Sequence, residues 1–274
     1  MHKRGQATVL IIFGIVIALA IVIVFFSLND SPLEGLGFDK NTENVQSSTE
    51  ECFKKIYIDS LDFIGAQGGY SKEPLGPYVS EIGLFFPIYN FNGDVYLPKN
   101  ELVEYELSLI IDENLPICIA QAQERYPSLE ISYDNFLTTT KINKDSVSFI
   151  TSGDFKITNN EGTVITEFNE ININSKLNNL ILASTSYTLG SDSSICLDCI
   201  ADISDRFDLL IDVANFQEGI IIVNLYANEK ESYPSAFTFL EVHDEEVFFE
   251  KINYLGDVSN EETSEIKELP APPQ

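Results

Sequence analysis

The sequence predicts an α+β ectodomain carried on a single N-terminal transmembrane helix, with N-terminal helices and a hairpin followed by a strand-rich antiparallel part. Three observations predict it. An uncharged apolar run lies near the N-terminus, a helical apolar period dominates residues 49–127, and a period of two takes over across 128–258.

The run from Ala7 to Phe26, ATVLIIFGIVIALAIVIVFF, holds no charge and only Thr8 as a polar side chain. As a helix it covers about 30 Å, the thickness of a bilayer's hydrocarbon core. In lipid its backbone groups must pair within the segment, which one apolar run can do only as a helix. A cleaved secretory signal has a shorter apolar region and a small-residue cleavage site, whereas SLNDSPLEG follows here. His2, Lys3 and Arg4 precede the run and no Lys or Arg follows it until Lys40. Residues 1–6 are therefore expected in the cytoplasm and the C-terminal part outside the cell, with the bilayer as partner of residues 7–26 and the cell membrane as location.

The 16 Lys and Arg less Lys3 and Arg4 leave 14 against 43 Asp and Glu beyond the helix, a net charge of −29. Such a surface repels nucleic acid and anionic headgroups. It suits high external salt, a solvated acidic face, or loosely held Ca²⁺; no other cofactor is expected, and other surface or envelope proteins are the remaining partner class.

Residues 27–48, rich in Gly, Pro, Ser, Asn and Asp, read as a stalk. Thr49 with Glu50 and Glu51 predicts a capped helix start, and Cys52, Ile56, Ile58, Leu61, Phe63 and Ile64 its apolar positions. Gly65 and the pair Gly68-Gly69 end it. The runs Ile82 to Phe91 and Val95 to Leu97, parted by Asn92-Gly93, predict a hairpin. Leu102, Tyr105, Leu109 and Ile110 predict a second helix running toward Asp112, which Pro116 interrupts before a short continuation, Ile117 to Arg125, that carries Cys118. From Ser128 the alternation Leu129-Ile131-Tyr133, Val147-Phe149, Phe155-Ile157, Val164-Ile165 and Ile171-Ile173 predicts half-buried strands. Lys176 to Tyr187 is ambiguous, its Leu177, Leu180 and Ile181 fitting a helix laid on the sheet. A helix from Ile195 to Arg206 and strands at Leu209 to Val213, Ile220 to Leu225 and Ala236 to Val242 follow. Two domains, 49–127 and 128–258, precede an acidic, disordered tail at 259–274.

All four cysteines, Cys52, Cys118, Cys196 and Cys199, lie beyond the membrane run. An even count outside the cytoplasm favours disulfides, and three pairings are possible. Cys52 with Cys118 and Cys196 with Cys199 is preferred, because the first two share a domain and the last two are local neighbours.

Lys3-Arg4-Gly5-Gln6 followed at once by the apolar run resembles the class III signal sequences of archaeal type IV pilin-like proteins. That resemblance implies processing by a prepilin peptidase between Gly5 and Gln6. Leu10 stands at the fifth position of the mature chain, where many pilins carry Glu. The remainder resembles archaeal membrane-anchored surface proteins through the Cys52 helix running into Ile64-Gly65-Ala66-Gln67-Gly68-Gly69-Tyr70, the Pro87-Ile88-Tyr89 strand and the helix from Pro98 to Cys118. The resemblance implies location and architecture, not chemistry.

Cys196-Leu197-Asp198-Cys199 has the spacing of a thioredoxin-like site. Asp192, Asp198, Asp202 and Asp205 surround it and disfavour thiolate, so a structural disulfide is the first reading and an extracytoplasmic thiol oxidoreductase the alternative. His243-Asp244-Glu245-Glu246 could bind a metal or move a proton but reads first as a solvated turn. Gln67, Gly68, Gly69 and Tyr70 form either a binding loop or a helix end. No H-E-x-x-H, G-x-S-x-G or P-loop pattern occurs. These readings favour a non-catalytic, membrane-anchored surface protein whose acidic ectodomain serves binding or envelope structure, with a type IV pilin-like filament subunit as the alternative.

Overall fold

The computed structural model describes residues 33–243 except 82, 192–196, 218 and 230–231, with the backbone alone at 33–41 and 197–198. The apolar run 7–26, the processing residues Lys3, Arg4, Gly5 and Gln6, Cys196 and the tail 259–274 lie outside the described residues. Among the described residues no helix is long and apolar enough to cross a membrane.

Helix α1 (Leu33–Ala66) begins well inside the expected stalk. Thr42, Val45, Thr49 and Phe53 recur at helical spacing and are buried, so residues 33–48 are not a structureless spacer. The stretch is too polar for its apolar period to show, and tertiary packing overrides that weak local signal. Thr49 consequently sits mid-helix, where its hydroxyl donates to the Val45 carbonyl at 2.8 Å instead of capping an N-terminus. Phe53, Tyr57, Leu61 and Ile64 continue the buried stripe.

Strands β1 (Tyr78–Glu81), β2 (Leu84–Phe91) and β3 (Asp94–Val95) follow. The β2–β3 turn is the expected Asn92-Gly93 hairpin: both residues have positive φ, 51° and 95°, and the Asn90 side chain accepts the Gly93 N–H at 2.9 Å. Helix α2 (Asn100–Arg125) runs without a break through Pro116. The proline removes one backbone donor, which disfavours a helix interior by about 3 kcal/mol. Burial of Leu115, Cys118, Ile119 and Ala122 just around and beyond it offsets that penalty, so the expected interruption does not occur.

Strands β4 (Glu130–Ile142), β5 (Ser146–Asn159), β6 (Gly162–Thr166) and β7 (Ile171–Asn174) form an antiparallel sheet in which β5 pairs β4 on one side and β6 and β7 on the other. Helices α3 (Leu177–Gly190) and α4 (Leu197–Phe207) lead to β8 (Leu209–Gln217), β9 (Ile220–Ala227) and β10 (Ala236–Val242). The second sheet has the order β1-β2-β10-β9-β8, with β3 on β2. Its β2–β10 pairing is parallel and the rest antiparallel, so this sheet is mixed.

The expected division near 127 is not a break in the fold. Strand β2 from the first part lies beside β10 from the second, and one continuous core joins Phe53 and Leu107 to Phe149, Tyr187 and Phe239. Tyr57 stacks on Phe149 and Tyr89 on Phe239, each with ring centroids 4.5 Å apart.

Candidate functional site

Cys52 of α1 and Cys118 of α2 are joined, with Cα atoms 5.7 Å apart across a sequence separation of 66. Cys199 is disulfide-bonded too. Beside the Cys52–Cys118 bridge, a groove of about 470 Å³ runs between the two helices over Ile56, Phe63, Ile110 and Ile117, with Lys55 and Asp59 at its polar margin. Ile117 is half exposed there.

Helix α2 also holds the edge of β4. The backbone N–H groups of Thr138, Thr140 and Ile142 donate to Asp112 Oδ1 at 2.8 Å, Ser108 Oγ at 3.2 Å and Glu104 Oε1 at 2.8 Å. The spacing explains the fit. Four helical residues rise about 6 Å, close to the roughly 6.7 Å that two strand residues cover, so a side chain on every helical turn meets every second N–H. Gln123 extends the contact, accepting from Ile131 N–H at 2.8 Å and donating to Leu129 O at 2.6 Å. Beneath this comb, Thr138, Thr151 and Tyr57 form a hydroxyl chain with oxygens 3.1 and 2.7 Å apart. Burial holds the Asp112 carboxyl above its usual value, against opposing hydrogen bonds from Thr138. Burial likewise pushes the Tyr57 phenol up to about 12.

The Gln67 to Tyr70 segment closes α1. Gly68 and Gly69 have φ of 53° and 88°, which a side chain rarely adopts. Gln67 is buried; its Oε1 accepts Phe85 N–H at 2.8 Å and its Nε2 donates to Tyr70 O at 3.2 Å. Tyr89 Oη donates to Gly68 O at 2.7 Å. A Cβ at Gly68 would stand 2.7 Å from both Pro87 Cγ and Thr238 O, so the bend is pressed against the sheet. These groups are committed within the fold and present no open loop.

A second polar arrangement lies where the end of α3 meets β10. Glu241 is fully buried, and both carboxylate oxygens accept from Ser191 Oγ, at 3.1 and 3.0 Å. His243 Nε2 lies 3.4 Å from Glu241 Oε2. That nitrogen, Tyr187 Oη and Thr188 Oγ1 are buried without hydrogen-bond partners. Burial and the nearby charge of Glu241 raise the Tyr187 phenol above its usual value. His243 thus has its Nε2 buried beside Glu241 while the residue stays partly exposed at the bend after β10; Asp244, Glu245 and Glu246 of the expected turn lie outside the described residues. Glu241 is not among the residues that a motif in the sequence singles out. A signal was present, because period two from Phe237 and Phe239 leads to Glu241 as a lone carboxylate in an apolar series, and β10, flanked by β2 and β9, is inside the sheet.

Among the described residues no group of three or more His, Cys, Asp or Glu side chains is placed to hold a metal ion. No protein-family model matches the chain, and no curated protein or solved structure matches it either.

Proposed function

We propose that this chain is a single-pass, membrane-anchored surface protein whose α+β head, exposed outside the cell, serves binding or envelope structure and not catalysis. The observation that carries this reading is the reach of α1. It starts at Leu33, seven positions after the apolar run ends at Phe26, and continues unbroken into the centre of the core, where Phe53, Tyr57, Leu61 and Ile64 are buried. Along residues 33–66 that helix is a stiff arm rooted in the core of the head. The Cys52–Cys118 bridge suits an oxidising exterior.

The test is fractionation of cells producing the full chain, with protease added outside. The full chain should sediment with membranes and lose its head to the protease, and a chain lacking residues 1–26 should be soluble. A full chain found in the soluble fraction, or a head protected in intact cells, overturns the reading.

The same long helix, Leu33–Ala66, which follows the apolar run in the sequence, supports the second reading, a pilin-like filament subunit processed after Gly5. Mass spectrometry decides it: a mature chain beginning at Gln6 supports it, and an intact Met1 or His2 end excludes it.

A further inference from the structure

We propose that Glu241 and His243 form a binding site for a divalent transition-metal ion of the zinc type, independent of the anchored-surface reading. Glu241 lies in β10 and His243 follows at the bend just past the strand's last residue, Val242. Glu241 Oε2 and His243 Nε2 stand 3.4 Å apart. A charge-assisted hydrogen bond between them would draw the atoms to roughly 2.7–2.9 Å. The observed separation is instead that of two donors on one ion. With bonds of roughly 2.0–2.2 Å, tetrahedral ligands lie about 3.3–3.5 Å from each other.

The surroundings also point to a bound cation. A fully buried carboxylate needs compensation, and among the described residues its other polar contact is the neutral Ser191 hydroxyl at 3.0 and 3.1 Å. Ser191 is a positioning residue, holding the carboxylate as an outer partner holds a metal ligand. Buried polar atoms without partners call for a water or an ion. Two of these border the carboxylate: His243 Nε2, 3.4 Å from Glu241 Oε2, and Tyr187 Oη, close enough to feel the Glu241 charge. The imidazole nitrogen is a direct ligand, and the Tyr187 hydroxyl suits a hydrogen bond to one of the waters that complete the coordination. Tyr187 stays a neutral donor there, since burial and Glu241 both oppose its ionisation. An imidazole with a carboxylate selects zinc, cobalt or nickel over calcium or magnesium, which prefer all-oxygen shells.

The test uses the full chain in detergent, stripped with a chelator and titrated with Co²⁺ near neutral pH. One equivalent should develop the intense visible absorption of a four-coordinate ion, Zn²⁺ should displace it, and excess Ca²⁺ should not. His243→Gln should weaken binding at least tenfold, and His2→Gln should leave it unchanged. Because a variant at a buried site could misfold, the imidazole resonances of the wild-type chain are followed as Zn²⁺ is added, with His2→Gln assigning them. A shift confined to His243 supports the site. No four-coordinate cobalt spectrum, equal affinity in a folded His243→Gln variant, or a shift of His2 alone overturns it.

Discussion

The comb between α2 and β4 and the pocket around Glu241 both bury polar groups against a sheet, yet they differ in pairing. In the comb, Glu104, Ser108 and Asp112 each meet a backbone N–H, and the hydroxyls of Thr138, Thr151 and Tyr57 satisfy one another. Around Glu241, His243 Nε2 and Tyr187 Oη have no hydrogen-bond partner, and among the described residues the carboxylate's one hydrogen-bond donor is the neutral Ser191 hydroxyl. A satisfied network specifies a structure, and an unsatisfied one is expensive unless something else enters it. The comb also covers a strand edge that would otherwise invite another strand. The difference separates polar groups kept for the fold from polar groups left for a ligand.

The largest effect should come from untying the helix that carries the comb. Cys52→Ser and Cys118→Ser should each lower stability by roughly 4 kcal/mol in the chain-entropy account, and the double variant should be no worse than either. Denaturant titration of the three proteins checks this, and unequal single variants would mean that one thiol has a second role.

Asp112→Ala should follow, at about 1–3 kcal/mol, because the Thr138 N–H loses its acceptor while remaining part-buried. Asp112→Asn keeps an acceptor oxygen and should be close to neutral or stabilising at pH 7. The sign follows from the raised carboxyl: its contribution is present below the unfolded value of 3.8 and is lost as pH rises through the higher folded value. Melts from acid to neutral pH should therefore show Asn gaining on the wild type. If Asn is as harmful as Ala, the comb depends on charge and not on pairing.

Tyr57→Phe should remove roughly 1 kcal/mol by taking one hydroxyl from the chain with Thr151. In the wild type the unfolded phenol ionises near 10 and the folded one near 12, so stability should fall across that interval. Alkaline unfolding curves should be shallower for the Phe variant.

The smallest change is expected at the pocket. In metal-free protein, Glu241→Gln removes an uncompensated buried charge and should leave stability unchanged or raise it by up to about 1 kcal/mol. A loss of several kcal/mol in thermal melts would make Glu241 a structural group like those of the comb and erase the contrast.

Much of the secondary structure was legible because it is local. The Asn92-Gly93 turn needs positive φ at both positions, and the strands declare themselves through apolar period, whereas the α3 segment stayed ambiguous. The disulfide partners Cys52 and Cys118 could be chosen because few pairings exist among four cysteines. What failed was local reasoning applied to residues whose state is set by distant partners. Residues 33–48 look like a spacer until Thr42, Val45 and Thr49 are seen packed against the core, and Pro116 looks like a stop until its flanks are seen buried. Glu241 looks like one more surface acid until β10 is seen inside the sheet with Ser191 against it.

The sequence by itself determined the apolar run, the charge imbalance, the turn chemistry and the alternation of helix and strand, since each depends on neighbours along the chain. Only the tertiary structure decided that β2 joins β10, that α2 closes the β4 edge, and that Ser191 and Tyr187 lie beside Glu241. These depend on contacts across 26 to more than 100 positions, for which one chain without its fold holds no spacing rule. The helix rise and the strand rise make the comb possible, but nothing in either segment alone brings them side by side.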